Sequence, residues 1–176
     1  FTVFAIYPYL KRYTPLCHVG VGLALALAPL AGFAAGHPDL ARSGVAIALA
    51  AFALCWVTGF DIIYATLDET SDRATGVNSM VVWLGRANAL RVSWALPQVA
   101  LGALGYAAYA AAFANGQPSA WWLTLTGTGF AATVALLWLE QKWAEDVNLA
   151  FFQINVVVGF VVLGTVLAAR MAAGGF

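Results

Sequence analysis

The chain has 176 residues, of which 62% are hydrophobic and only 9% charged, and its mean hydropathy is +0.84. A water-soluble domain carries about 25% charged residues, so no aqueous surface can be built from this composition and the chain is read as an integral membrane protein. Eight Lys and Arg balance eight Asp and Glu, which removes any argument from net charge for a nucleic-acid or polybasic lipid surface.

A helix needs about 20 apolar residues to cross the hydrocarbon core, and the runs can be taken in chain order. Residues 1–10, FTVFAIYPYL, open without Met or a charged lead-in and read as the tail of a spanning helix, so residue 1 is not expected to be the natural start. Five full spans follow, at 19–35, 44 to about 64, about 92 to 113, 120–139 and 149–171. The runs are continuous rather than alternating. That excludes a closed barrel and leaves helices to satisfy the backbone in lipid. The expected fold class is all-α, a polytopic transmembrane helix bundle of five full spans plus the end of another. Ala and Gly dominate the spans, as in GVGLALALAPLAGFAAG, and such small residues let helices approach closely. Pro29 and Pro97 lie inside spans, where they either kink helices that border a cavity or are simply tolerated. Cys17 and Cys55 sit in apolar runs without C-x-x-C or Cys/His spacing and read as small packing residues.

Five crossings place Lys11, Arg12, Arg73, Arg86, Arg91 and Lys142 on one membrane face and only Arg42 and Arg170 on the other. The excess of positive charge makes the first face cytoplasmic. It also carries the polar stretch DIIYATLDETSDRATGVNS, residues 61–79, which holds Asp61, Asp68, Glu69 and Asp72, half of all the acidic side chains. On one continuous helix Asp61, Tyr64, Asp68 and Asp72, at i, i+3, i+7 and i+11, would stay within roughly 60° of each other. Asp68 and Asp72 would then sit about 6 Å apart at the membrane edge, with Asp61 about 10 Å deeper. Like charges at i,i+4 repel unless something positive neutralises them, so this stripe predicts a bound cation. Oxygen ligands without His or Cys suit Mg²⁺, which takes one or two carboxylates and completes its shell with water and phosphate. Glu69 falls off the stripe and reads as a solvated charge.

The same face receives YPYLKRYTPL, residues 7–16. Tyr7 and Lys11 share a helical side at i,i+4, and Arg12 adds a second cation, so the unit presents ammonium, guanidinium and phenol to an anion. Taken alone it would read as a positive anchor with an aromatic belt. Beside a metal-binding stripe it predicts a diphosphate site.

These two stretches, with LG close behind the second and FFQIN at 151–155, resemble the Y-x-x-x-K segment and the second Asp-rich motif, D-x-x-x-D, of the UbiA-type intramembrane aromatic prenyltransferases. The agreement runs through D-x-x-Y-x-x-x-D-x-x-x-D-R-x-x-G-x-x-S in order and spacing. The resemblance implies a bundle of about nine helices around a central cavity, joining an isoprenoid diphosphate to a small aromatic acid with Mg²⁺. It implies Asp68 and Asp72 as metal ligands, and Lys11, Arg12, Tyr7, Arg73 and Asn155 as substrate-binding residues. The family's first motif, N-D-x-x-D-x-x-x-D, is absent, so the chain is expected to be the C-terminal three-fifths or so of one prenyltransferase domain and inactive alone. Asp61 and Tyr64, deeper than the metal pair, are the expected catalytic residues, placed to meet the aromatic acceptor, with Asp61 taking a proton from it. The resemblance is strongest to quinone-pathway members acting on 4-hydroxybenzoate or on the hydroxynaphthoate of the futalosine route, with menaquinone slightly favoured. It implies a bacterial inner membrane, with association with other membrane proteins left open.

Two other readings compete. A cation or proton transporter would need carboxylates continuing across the bilayer, yet the opposite face offers only Asp39. A non-catalytic structural membrane subunit would fit a chain lacking the first motif. His18 reads as a hydrogen-bonded residue near the interface, since no second His lies in a span to form a haem pair.

Overall fold

The computed structural model describes residues 2–37, 43–144, 146 and 153–173. Phe1, Asp39, Arg42 and residues 149–152 of the last expected span therefore lie outside the described residues. Within them the chain is helical, without a strand: α1 (Thr2–Leu10), α2 (Cys17–Gly36), α3 (Gly44–Ala65), the short α4 (Glu69–Thr75) and α5 (Met80–Leu84), then α6 (Arg86–Ala112), α7 (Ala120–Lys142) and α8 (Asn155–Ala172).

Four of these, α2, α3, α7 and α8, are long and apolar enough to cross a membrane, with 20, 22, 23 and 18 residues. At about 1.5 Å per residue they reach about 27–35 Å, matching a hydrocarbon core about 30 Å thick. The fifth expected span, 92–113, lies in α6, which has 27 residues and therefore ample length. Ser93, Pro97, Gln98, Tyr106 and Tyr109 dilute its alanines and leucines, so composition marks four spans among the described residues and not the expected five. Its position offsets this: α6 packs on α3, α5, α7 and α8, and Ala100, Leu104 and Ala107 on it are fully shielded.

Successive long helices run antiparallel, so the ends of α1, α3 and α7 and the starts of α2, α6 and α8 gather at one end of the bundle. There Ile63, Leu90 and Ala144 pack together, and Arg86 Nη1 donates to the Thr66 carbonyl at 3.2 Å. At the other end the Ser119 N–H and the Asn115 amide donate to the carbonyls of Ala172 and Ala173. Between them Phe52, Ala100, Leu104, Leu137 and Val158, from α3, α6, α7 and α8, form the central core.

Small residues set the helix spacing. Gly22 on α2 lies so close to the Leu54 carbonyl and the Thr58 hydroxyl on α3 that a Cβ would collide with both. Gly129 on α7 meets Thr165 on α8 in the same way. The exposed indoles of Trp121 and Trp138 on α7 stand about 26 Å apart along the axis, the separation of two aromatic belts. Glu140 follows directly on the expected 120–139 span, where the sequence would put it in the loop beyond the membrane. Because α7 continues to Lys142, Glu140 falls in its last turn and is fully buried, with neither carboxylate oxygen hydrogen-bonded among the described residues.

Candidate active site

At the cation-rich end, a cavity of about 310 Å³ opens where α1 ends, α2 begins and α3 gives way to α4. Its wall includes Tyr7, Lys11, Asp61, Tyr64, Asp68 and Asp72. Each arrives there for a local reason.

The α1 helix stops after Leu10, where the amides of Arg12, Tyr13 and Thr14 turn back onto Tyr9 and Leu10, and Pro15 prevents the helix from continuing. That leaves the carbonyls of residues 11 and 12 without helical partners. Asn78 takes both: its N–H donates to the Lys11 carbonyl at 2.8 Å and its side-chain Nδ2 to the Arg12 carbonyl at 3.2 Å. The backbone at Lys11 and Arg12 is thereby clamped to the segment that follows the acidic motif.

On the other wall, α3 ends in a tightened turn. Thr66, Leu67 and Asp68 donate to the carbonyls of Ile63, Tyr64 and Ala65, three residues back instead of four. Residues 61–72 are therefore not the single continuous helix expected from sequence. A turn of about 120° per residue replaces one of about 100°, and the phase that defined the stripe does not carry across it. Asp68 instead occupies the N-cap position of α4 and Asp72 its first turn, after which Gly76 at φ 69° ends the helix. Despite the break, Asp61, Tyr64, Asp68 and Asp72 face the same space. Ser79 then caps α5, accepting from the Val82 N–H at 3.2 Å.

The charged groups differ in how far they are already engaged. Among the described residues, neither Lys11 nor the carboxylates of Asp68 and Asp72 form an ion pair, so a cation and two anions stand available around one space. Asp61 is committed: His18 Nδ1 lies 2.6 Å from its Oδ2. Arg12, Arg73 and Asn155 are not on the cavity wall. The Arg12 guanidinium lies over the Tyr9 ring, 5.7 Å from its centroid. Arg73 bonds Glu69 through Nε and Nη2, at 3.2 and 3.0 Å, along the exposed side of α4. Asn155, at the start of α8, accepts the Trp56 indole N–H at 3.0 Å.

Sequence reasoning did not place in the site the polar cavity residues His18, Asn78 and Ser79, or Pro8, Cys17, Val21 and Ala65 beside them. His18 was legible in principle. It opens one span as Asp61 closes the next, and antiparallel neighbours place two such positions at one depth. Asn78 gave no signal, because the Lys11 and Arg12 carbonyls it holds lie 67 and 66 residues away and depend on where α1 happens to stop.

The carboxylate pair fits a hard divalent cation. Two acidic side chains facing one cavity, neither held by a protein cation, are what Mg²⁺ uses when substrate phosphate supplies further oxygens. Among the described residues no three metal-ligating side chains form a cluster.

Residues 1–157 match the UbiA prenyltransferase family. The chain is 34% identical over 168 residues to a 4-hydroxybenzoate octaprenyltransferase of Alkalilimnicola ehrlichii, covering 93% of this chain and 53% of that protein. It is 27% identical over 174 residues to the enzyme of the same name from a Polaromonas species, covering 95% and 56%. A polyprenyl transferase of Aspergillus niger is 36% identical over 80 residues, 46% of this chain and 24% of that one. The chain thus spans about half the length of the bacterial relatives it matches from end to end. No solved structure matches it significantly. With nearly nine-tenths of its residues inside the family match and the acidic and basic motifs assembled on one cavity, the chain belongs to the UbiA prenyltransferase family.

Proposed function

We propose that the protein to which this chain belongs transfers a polyprenyl group from an isoprenoid diphosphate to a small aromatic acid in quinone biosynthesis, at the cytoplasmic face of a bacterial inner membrane. The observation that carries this is the meeting of Lys11, Asp68 and Asp72 at the mouth of a cavity whose wall also holds Asp61 and Tyr64.

The division of labour follows from charge and position. Ionising an allylic diphosphate builds negative charge on the leaving group, and the Lys11 ammonium stabilises that charge more in the transition state than in the bound substrate. Tyr7, one turn back on the same side of α1, supports it. Asp68 and Asp72 would hold a divalent cation, Mg²⁺ in this reading, which when bound neutralises diphosphate charge. Asp61 and Tyr64, on the regular part of α3, address the acceptor ring, and the Asp61 carboxylate takes the proton that the ring or its hydroxyl gives up. Pro8, Val21 and Ala65 on the cavity wall offer apolar surface that shields the allylic cation from water until the ring reaches it. The relatives aligned over 93% and 95% of the chain carry 4-hydroxybenzoate in their names, which makes it the acceptor to test first, with the hydroxynaphthoate acid of the motif resemblance second.

The test is prenyl transfer by the natural full-length protein in nanodiscs, with Mg²⁺, an isoprenoid diphosphate and each acid in turn. Formation of a prenylated acid is expected. Absence of product with every aromatic acid supplied, in protein that is folded and inserted, overturns the proposal.

A further inference from the structure

The hydrogen-bonding pattern around His18 assigns it a role that neither the motifs nor the relatives' names supply. His18 stands in the first turn of α2, 4% exposed, and its side chain reaches the cavity wall. Its Nε2 lies 3.3 Å from the backbone nitrogen of Met80 at the start of α5. A backbone amide only donates, so Nε2 must offer a lone pair, and in the neutral ring the hydrogen then sits on Nδ1. That hydrogen points at Asp61 Oδ2, 2.6 Å away. One imidazole therefore ties three elements together, and with both nitrogens engaged the ring cannot turn without breaking a bond. The Asp61 side chain keeps 22% of its surface exposed on the cavity side.

We propose that His18 is a positioning residue: it orients the Asp61 carboxylate toward the aromatic acceptor and acts through Asp61, not on the diphosphate. The inference rests on the proposed role of Asp61 toward the acceptor. The physical reason is that a carboxylate turns freely about its terminal bond unless one oxygen is held. A small misplacement of a group that must meet a reacting atom costs rate out of proportion to the lost hydrogen bond. A misplacement of about 1 Å can cost about 100-fold in rate.

Two near-isosteric variants separate the two bonds. In His18→Asn the side-chain Nδ2 takes the place of Nδ1 and can still donate to Asp61, while the acceptor for Met80 is lost. In His18→Gln the longer amide reaches the Met80 N–H but leaves Asp61 unheld. With the natural full-length protein in nanodiscs and each substrate varied in turn, His18→Gln should lower kcat/KM for the acceptor by up to about 100-fold. His18→Asn should recover most of that loss, and the KM for the isoprenoid diphosphate should not change in either. In an Asp61→Asn background, His18→Gln should add no further loss, because the two residues act as one unit. Thermal unfolding in detergent is measured alongside. Equal losses in His18→Asn and His18→Gln, losses that track melting temperature, an effect on the isoprenoid diphosphate, or additive losses with Asp61→Asn would each overturn the assignment. A wild-type protein that transfers no prenyl group removes the proposed function and this inference together. A wild-type protein that turns over with the wrong His18 pattern removes only the inference.

Discussion

Lys11 and Asp61 look into the same cavity, and under the proposed function they address different substrates, so their loss should be felt by different partners. Lys11→Ala should raise the KM for isoprenoid diphosphate and lower kcat by about 10²- to 10³-fold, as expected when a preorganised charge facing a developing anion is removed. Asp61→Asn and Tyr64→Phe should leave isoprenoid diphosphate affinity alone and lower kcat, or raise the KM, for the acceptor. Steady-state kinetics with one substrate saturating decides between the two patterns. If Asp61→Asn weakens isoprenoid diphosphate binding as much as Lys11→Ala does, the separation into two substrate ends is wrong. Asp68→Ala and Asp72→Ala should each abolish most transfer and shift the Mg²⁺ requirement to higher concentration, while membrane insertion is unchanged. Undiminished turnover at low Mg²⁺ in either variant would remove those residues from the metal site.

Among the elements, the α2 and α3 pair has most influence on the site, because it carries both ends of the His18 and Asp61 contact. Its spacing depends on Gly22, whose position against the Leu54 carbonyl and Thr58 hydroxyl leaves no room for a side chain. Gly22→Val should destabilise the fold by about 1–3 kcal/mol through forced separation of the helices. Thermal unfolding in detergent would show it, and an unchanged melting temperature would mean that the helices are not packed this closely. Thr58 reinforces the contact: its hydroxyl lies 2.6 Å from the Leu54 carbonyl within α3 and 3.4 Å from the His18 carbonyl across the interface. The α1 helix is held more lightly, leaning on α2 at Gly20 and fastened to the α4–α5 connection through Asn78. Asn78→Ala keeps the backbone bond to Lys11 but loses the one to Arg12. It should therefore weaken isoprenoid diphosphate binding with little effect on the acceptor KM, which the same kinetics would read.

At the scale of the whole molecule, antiparallel packing gathers Lys11, Arg12, Arg73, Arg86, Arg91 and Lys142 at the cavity end, while Arg170 on α8 marks the other. Positive residues favour the cytoplasmic side. In a variant lacking Cys17 and Cys55, single cysteines introduced between residues 66 and 90 or at Trp143 should be shielded from impermeant thiol reagents in intact cells. Those at 115–119 should label. The reverse pattern would turn the cavity away from the compartment assigned to its substrates.

Composition and hydrophobic runs alone determined that the chain is a membrane-embedded helical bundle, because in lipid every backbone group must be bonded within its own segment. Run length then located α2, α3 and α7 to within a few residues. Residue spacing and charge asymmetry also indicated which end carries the acidic and basic groups. What the sequence could not decide is geometry that depends on contacts between distant residues. Helical periodicity drew Asp61 to Asp72 as one stripe, whereas the end of α3 tightens and α4 restarts, and the shared cavity comes from folding back. The run-length rule counted 92–113 as one more span without indicating its place, whereas α6 is set among four other helices and can carry more polar residues. Only the tertiary structure joined His18 to Asp61 across 43 residues and Asn78 to Arg12 across 66. Local patterning encodes which face of an element is apolar, but the partner of a polar side chain is chosen by whatever the packing brings within about 3 Å.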